Sequence, residues 1–235
     1  QDQLPEKNKI YVPVNVTKSK EYHNIFETLK MRLRKGGRNK IDIFSYLNKL
    51  RYYTGLSKIN VSIEWITNFF DTYPNKKLIV YAHHKKVISE ITKRFDCLKL
   101  DGSTPTDKRG QIIDNFNNSS DRNLIVCNIA SGGIGLNLVS SDTILFVELP
   151  WNPADVDQAE ARIDRIGQSK NKLFYYTLIG IGTIDEMIAR IFDRKREVIS
   201  QVVDGEEISD FNVLSDIVKE LKGGTTSSRK QYKGS

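Results

Sequence analysis

Residues 78–95 read LIVYAHHKKVISEITKRF, an apolar run followed by a polar pair and then a helix-like segment. The apolar run is too short for a helix and contains β-branched and aromatic residues, as expected of a strand that is buried on both faces. The stretch therefore predicts a buried strand at 78–82 that leads through a polar turn into a helix over 85–95.

Short apolar runs alternate with helix-like segments along the rest of this region. Such alternation is typical of a parallel sheet with helices on both sides. The sequence therefore predicts an α/β fold, a three-layer parallel sheet. The further strands are expected at 98–101, 124–127, 144–148 and 173–179, and the further helices at 105–116 and 153–166.

Helix-capping residues support these boundaries. Thr104 followed by Pro105 predicts an N-cap with proline at the first helical position, and Asn152 followed by Pro153 repeats that pattern. Residues 183–186 have a capping-box pattern, which predicts a last long helix that reaches Val202.

Residues 1–76 differ from the rest of the chain. Their pattern predicts helices at 20–34, 41–53 and 57–71, which together form an N-terminal α-helical protrusion. We expect a sheet domain over 77–205 and a C-terminal helix with a flexible tail over 206–235. Because the chain begins at Gln1 without a methionine, we expect it to be a fragment or a processed piece.

The chain is basic, since 36 Lys and Arg against 29 Asp and Glu give a net charge of +7. That balance favours a polyanionic partner, although a solubilising surface alone could carry it. Mean hydropathy is −0.43 and no apolar run approaches the ~20 residues of a membrane helix, so we expect no membrane partner. Cys97 and Cys127 lie in strand-like runs without CxxC spacing, which indicates reduced core residues and an intracellular protein.

Three polar residues near the end of the helix expected at 153–166 are spaced for a common face. Gln158, Arg162 and Arg165 stand at i, i+4 and i+7, so a helix would direct all three to one side. Two guanidinium groups and an amide that converge would suit a concentrated anion, such as a transferring phosphoryl group. The alternative is a solvated charged face in which Glu160 and Asp164 pair with the arginines.

Polar residues also follow the first predicted strands, at the sheet edge where ligands bind in open α/β folds. His84 and Lys85 follow one strand, and Ser103 and Thr104 follow the next, so that backbone N–H groups, hydroxyls and a lysine could hold a phosphate there. Thr104 could instead only cap its helix. The adjacent His83 and His84 cannot easily share a metal ion, and we predict no metal site.

A glycine-rich turn, residues 128–138, follows the strand expected at 124–127. Its glycines would let the backbone approach an anion, or would serve only a tight turn. It lacks the third glycine of a dinucleotide fingerprint, where Leu138 stands. Trp151 follows the next strand, where it could cap the core or contact nucleic acid.

Two nucleotide-binding patterns are absent from the sequence. No G-x-x-x-x-G-K-[ST] pattern occurs, so no P-loop is available to cradle the β- and γ-phosphates, and there is no Asp-Glu box for magnesium. An arginine pair without a P-loop suggests the donor of an arginine finger that acts across a cleft.

In order and spacing, these motifs resemble the second (C-terminal) RecA-like lobe of SWI/SNF-type ATPases of helicase superfamily two. Residues 158–168, which end in Arg-Ile-Gly-Gln, are similar to helicase motif VI. Residues 130–138 resemble motif V, and residues 149–153 resemble the conserved box that follows it. Residues 78–84 resemble motif IV, and residues 101–104 resemble the next block.

The resemblance covers residues 4–205 and implies that 1–76 comprise an interlobe linker and the helical protrusion. Residues 54–58 and 81–84 resemble the annealing-helicase (HARP-like) branch, whereas residues 132–138 resemble chromatin-remodelling ATPases. The chain departs from the family at Asp164, where a histidine is usual.

The resemblance implies a role for individual residues. Arg165 would be the arginine finger that stabilises γ-phosphate charge in the transition state, flanked by Arg162 and Gln158. Gly135 and Asn137 would lie on the nucleotide side of the cleft. Those that would contact DNA are His84, Lys85, Ser103, Thr104, Ser131 and Trp151.

The resemblance also implies a function, the second motor lobe of an ATP-dependent double-stranded DNA translocase or remodeller. ATP and Mg²⁺ would be held mainly by a P-loop lobe of the same protein, so this chain alone is expected to be inactive. The alternatives are a strand-separating or annealing helicase and a non-enzymatic DNA-binding module. The expected location is the nucleus of a eukaryote or the cytoplasm of a prokaryotic or viral system.

Overall fold

The computed structural model describes residues 5–36, 39–130, 137–164, 171–201 and 213–223. Contacts divide the chain into two compact units. The sheet unit comprises Gln1–Val14 and Lys58–Leu178, and the helical unit comprises Asn15–Ser57 and Ile179–Ser235. In the part of the chain that the structure describes, no helix is long and apolar enough to cross a membrane.

Six strands form one sheet in the order β1-β6-β5-β2-β4-β3. Strand β2 pairs in parallel with both β4 and β5, while β3 pairs in parallel with β4, and β6 with β5. The strands are β1 (Glu6–Val14), β2 (Leu78–Ala82), β3 (Leu98–Leu100), β4 (Leu124–Asn128), β5 (Thr143–Phe146) and β6 (Lys172–Gly180).

Burial of the central strands shows that both faces of the sheet are covered. Every residue of β2 and of β5 is buried. Because successive side chains of a strand point to opposite faces, a fully buried strand needs a layer on each side. The predicted α/β class is therefore confirmed. The helices of this unit are α3 (Ile59–Thr72), α4 (Lys85–Phe95), α5 (Thr106–Asn118) and α6 (Pro153–Glu160).

The helical unit contains α1 (Lys20–Arg34), α2 (Lys40–Ser57), α7 (Ile184–Gln201) and α8 (Val213–Lys222). Helix α1 contacts α2 and α8, and α7 contacts α2 and α8. Tyr22 on α1 is buried, and its hydroxyl accepts a hydrogen bond from the backbone N–H of Ile184 at 3.0 Å. This bond satisfies one of the N–H groups that the start of α7 leaves without a helical partner.

The predictions for Thr104 and for the first strand differ from the observed structure. Thr104 is not a helix cap: its hydroxyl accepts the N–H of Asp101 at 3.0 Å, and α5 begins two residues later. Strand β1, which the sequence predicts only as a linker, joins the edge of the sheet, where Pro13 is tolerated because no further strand needs its N–H. The Asn152 cap is confirmed by its side-chain oxygen, which accepts the N–H of Ala154 at 3.1 Å.

The three regions expected from the sequence, 1–76, 77–205 and 206–235, remain a prediction about domain organisation. The compact units divide the chain at other residues and place α3 with the sheet.

Candidate functional site

The turns that follow four neighbouring strands are candidates for a common site. Strands β5, β2, β4 and β3 are adjacent in that order and parallel, so their carboxyl ends lie along one edge of the sheet. Ligands of open α/β sheets bind at this edge. It carries His83 and His84 after β2, residues 101–104 after β3, Asn128 at the end of β4, and residues 147–152 after β5.

A buried carboxylate, Glu148, organises the centre of this edge. Glu148 is only 2% exposed, and it accepts the backbone N–H groups of His83 and His84 at 2.8 and 3.0 Å. Its other oxygen lies 2.5 Å from Nδ1 of His84. Burial opposes ionisation of Glu148, but the bonds from His84 and His83 outweigh it, and the pKa of the carboxyl lies below its usual value. The ionised carboxylate therefore accepts from Nδ1–H and fixes the orientation of the His84 ring.

Asn128 ties the same turn to strand β4. Its side-chain nitrogen donates to the carbonyl of His83 at 2.7 Å, and its side-chain oxygen accepts the N–H of Ala130 at 2.9 Å. Sequence reasoning placed His84 and Lys85 at this edge but missed Glu148. The available signal was a charged residue inside the apolar stretch that was predicted as a strand at 144–148. Lys85 is exposed at the first position of α4.

The turn after β3 is closed by Asp101. Its carboxylate accepts both the N–H of Ser103 at 2.9 Å and the hydroxyl of Ser103 at 2.6 Å, and Lys99 lies 3.3 Å from its other oxygen. Burial raises the pKa of Asp101, but the bonds from Ser103 and the charge of Lys99 lower it further, to below its usual value. Ser103 is exposed with its proton directed to Asp101, and Thr104 is half-buried with its hydroxyl bonded to the N–H of Asp101.

The helix predicted at 153–166 ends earlier than expected, and the common face of Gln158, Arg162 and Arg165 stays a prediction because Arg165 lies outside the described residues. Helix α6 ends at Glu160, and the N–H groups of Arg162 and Ile163 bond to carbonyls only three residues back. Residues 160–164 thus form a tight turn, here named the arginine turn. Gln158 is exposed on the last turn of the helix, whereas Arg162 lies beyond the helix and is half-buried.

Tertiary contacts explain why the helix stops there, since no proline or glycine lies within the turn. The carbonyl of Arg162 accepts the N–H of Leu138 at 3.3 Å, Ile163 is fully buried, and the carboxylates of Glu160 and Asp164 are bonded to lysines of β1. These contacts override the local helix preference.

The bond from Leu138 brings the end of the glycine-rich segment next to the arginine turn. The preceding residue, Asn137, is exposed, and its carbonyl accepts a hydrogen bond from the side chain of Asn117 at 2.8 Å. Arg165, Gly135 and Ser131 lie outside the described residues.

Trp151 lies between β5 and α6 and is half-buried, so its ring is neither wholly in the core nor fully exposed. Within the described ranges, no group of three His, Cys, Asp or Glu side chains could hold a metal ion. The site contains backbone N–H groups, hydroxyls, amides and cations, together with the carboxylates of Glu148 and Asp101.

Comparison with known proteins defines the class. Residues 58–167 match the helicase conserved C-terminal domain. A Caenorhabditis elegans homologue of SWI/SNF-related matrix-associated actin-dependent regulator of chromatin subfamily A-like protein 1 is 31% identical over 162 residues, which are 65% of this chain and 23% of that protein. The mouse DNA annealing helicase and endonuclease ZRANB3 is 25% identical over 213 residues, 87% of this chain and 20% of that protein.

Solved structures agree with the sequence comparison. The Sulfolobus solfataricus SWI2/SNF2 ATPase core in complex with dsDNA superposes with a TM-score of 0.69 and 25% identity, covering 86% of this chain and 47% of that one. The fold and the matched segment define a helicase C-terminal domain. More specifically, the relatives and the solved structure support a SWI/SNF-type helicase C-terminal lobe.

The chain spans less than a quarter of the length of these two relatives. Its branch within the family, including the HARP-like one, stays a prediction.

We predict that Glu148→Gln lowers the free energy of unfolding by about 1.5–3 kcal/mol at neutral pH, because hydrogen bonds to a buried charge are removed. The pKa of Glu148 is depressed in the folded state, so its stabilisation is present at neutral pH and is lost as the pH falls through that depressed value. The difference between variant and wild type should therefore shrink below the ordinary glutamate value of 4.5.

Urea denaturation followed by tryptophan fluorescence measures this effect, since both tryptophans, Trp65 and Trp151, belong to the sheet unit. Glu64→Gln on the exposed side of α3 is the matched control and should change little. A loss of stability in Glu148→Gln that is the same in acid and at neutral pH would contradict the assignment.

Proposed function

We propose that the chain is the second motor lobe of an ATP-dependent translocase that moves on double-stranded DNA. The observation that carries the proposal is the match of residues 58–167 to the helicase conserved C-terminal domain. That segment contains the arginine turn and the turns that follow β5, β2, β4 and β3, here named the strand-end turns. Activity would belong to a longer protein, in which a P-loop lobe faces this one across a cleft. The relatives' lengths support that view.

The nucleotide would be contacted through the arginine turn and the segment that ends at Leu138. The bond between the Leu138 N–H and the Arg162 carbonyl supports this grouping, because it holds the two segments side by side. Arg165 would stabilise the charge that develops on the γ-phosphate. The residues proposed on this side are Gln158, Arg162, Arg165, Gly135 and Asn137.

ATP and Mg²⁺ would be held mainly by the P-loop lobe. The described residues offer no cluster of carboxylates for a divalent cation, which is the ligand set that Mg²⁺ prefers. When bound there, the ion would neutralise phosphate charge. This chain would contribute only cations and amides from the opposite side.

The DNA backbone would run along the strand-end turns. Their placement on adjacent parallel strands supports the proposal, because such turns can contact successive phosphates of one strand. The residues proposed to contact it are His84, Lys85, Ser103, Thr104, Ser131 and Trp151. Since Ser103 donates its hydroxyl proton to Asp101, a phosphate bond from that hydroxyl would require the present bond to break.

The distribution of charge supports a polyanionic partner more sharply than the total does. Residues 15–57 contain ten Lys and Arg and three Asp and Glu, a net charge of +7, which equals that of the whole chain. The remaining residues are balanced. Arg34, Lys35 and Lys40 are exposed beside the connection between α1 and α2. We propose that these helices attract DNA phosphates in addition to the strand-end turns.

The main alternative is an annealing or strand-separating helicase. It is favoured by the name of the mouse relative, a DNA annealing helicase and endonuclease. Displacement and annealing assays on tailed and fully duplex DNA distinguish it from a translocase. A non-enzymatic DNA-binding module is a further alternative. The proposed location is intracellular for each.

In the complete protein, Arg165→Ala is expected to lower kcat for DNA-stimulated ATP hydrolysis about 10³- to 10⁵-fold, the usual effect of losing an arginine finger. Duplex DNA binding should remain, because the DNA contacts are assigned to other residues. Steady-state hydrolysis and fluorescence anisotropy measure the two quantities. Arg94→Ala, an exposed arginine of α4, is the control that should retain activity. Normal turnover by Arg165→Ala would exclude the finger role and favour another donor.

Neutralising part of the basic helical segment should weaken DNA binding in a salt-dependent way. Arg34→Gln with Lys35→Gln is expected to reduce the slope of log affinity against log salt by about 0.9 for each phosphate that the variant no longer neutralises. Affinity should fall equally for unrelated duplex sequences. Lys219→Gln with Lys222→Gln on α8 removes the same charge and should have a smaller effect. Equal effects of the two double variants would contradict a specific role of the α1–α2 connection and would indicate only a general effect of net charge on DNA binding.

A further inference from the structure

Two lysines of the N-terminal strand hold the carboxylates on either side of Arg162. Nζ of Lys9 lies 2.6 Å from a carboxylate oxygen of Glu160, and Lys7 is paired with Asp164. Lys7 and Lys9 are two residues apart on β1, so their side chains leave the same face of the strand. Strand β1 thus forms an ion pair with each end of the arginine turn.

The two acids of these ion pairs are more buried than the two lysines. The side chains of Glu160 and Asp164 are 9% and 16% exposed, whereas those of Lys9 and Lys7 are 37% and 44% exposed. A largely buried carboxylate is costly when its partner is removed, because the uncompensated charge stays out of water. The lysines can therefore not be removed without a change in the turn.

Strand β6, which lies beside β1, also contacts Lys9. Tyr175 of β6 is buried, and Nζ of Lys9 lies 5.9 Å from the centre of its ring. Burial raises the pKa of the Tyr175 hydroxyl, and the nearby charges of Glu160 and Asp164 raise it further. The two acids and Lys9 thus lie near one aromatic ring on the strand next to β1.

The ion pairs also affect how strongly Glu160 and Asp164 attract the neighbouring guanidinium groups. Glu160 and Asp164 are the acidic neighbours of Arg162, and Asp164 immediately precedes Arg165 in the sequence. A carboxylate at such a distance would compete with phosphate for a guanidinium group. Lys7 and Lys9 offset the negative charge of both carboxylates, which lowers the attraction of these acids for a guanidinium group.

We propose that Lys7 and Lys9 of β1 are positioning residues that set the arginine turn for catalysis and couple it to the chain segment that enters this lobe. The four residues Lys7, Lys9, Glu160 and Asp164 are named the β1 clamp. The inference rests on the proposed function, because the turn matters to catalysis only if Arg162, or Arg165 that follows the turn, acts on ATP. A shift of β1 would move Glu160 and Asp164, and the turn between them would follow. The bond from Leu138 to the Arg162 carbonyl supports the other side of the turn.

The test uses the complete protein with Lys7→Met and Lys9→Met combined. The kcat for DNA-stimulated ATP hydrolysis is expected to fall about 10- to 100-fold, the size of effect that a misplaced catalytic group produces. KM for ATP and Kd for duplex DNA should stay close to wild type, because a finger acts in the transition state. Lys172→Met is the matched control. It breaks an exposed pair of 3.0 Å between Lys172 on β6 and Glu6 on β1, and it should leave kcat unchanged.

Two further variants keep the test decisive if the methionine variant does not fold. Lys7→Arg with Lys9→Arg preserves both pairs and should keep wild-type kcat. The charge exchange Lys9→Glu with Glu160→Lys should recover kcat that Lys9→Glu alone loses. Unchanged kcat in a folded methionine variant, or no recovery in the exchange, would overturn the clamp.

The clamp and the proposed function fail in different ways. A complete wild-type protein without DNA-stimulated hydrolysis would refute the function itself. The clamp alone would be refuted by a different set of results. In that set the wild-type protein hydrolyses ATP, the Arg165→Ala variant is inactive, and the lysine double variant is fully active.

Discussion

The parallel pairing of β2 with β4 on one side and β5 on the other is the constraint on which the rest of the structure depends. Because the three strands are parallel and nearly all of their residues are buried, their ends are fixed against one another at one edge of the sheet. The buried Glu148, two residues after β5, can therefore meet the N–H groups after β2, and Asn128 at the end of β4 can meet the carbonyl of His83. Phosphate-sized ligands bind at such an edge in α/β folds.

On the proposed nucleotide side, the second constraint is the balance of charge around the arginines. A guanidinium group serves as a finger only if no neighbouring carboxylate occupies it. Asp164 immediately precedes Arg165 in the sequence, and its carboxylate is paired with Lys7. The same pair links the arginine turn to β1.

Much of the fold could be predicted from local sequence. Strand β2 and helices α1 and α4 have the predicted bounds, because their apolar patterns and end residues agree with the tertiary structure. The end of α6 could not be predicted, since residues 160–164 contain no breaking residue and the turn depends on contacts with Leu138, Lys7 and Lys9. Thr104 had the sequence of a cap but bonds to Asp101. The role of Glu148 could not be predicted, because it depends on hydrogen bonds from His84, which lies 64 residues away in the sequence.

The central claim is that this chain carries one half of an ATPase site. It is tested most directly by comparing ATP hydrolysis, with and without duplex DNA, by the 235-residue chain and by the complete protein. The account predicts no turnover above background by the chain alone, under conditions where it is folded and binds duplex DNA. It predicts DNA-stimulated turnover by the complete protein. Hydrolysis by the chain alone at the rate of the complete protein would contradict it.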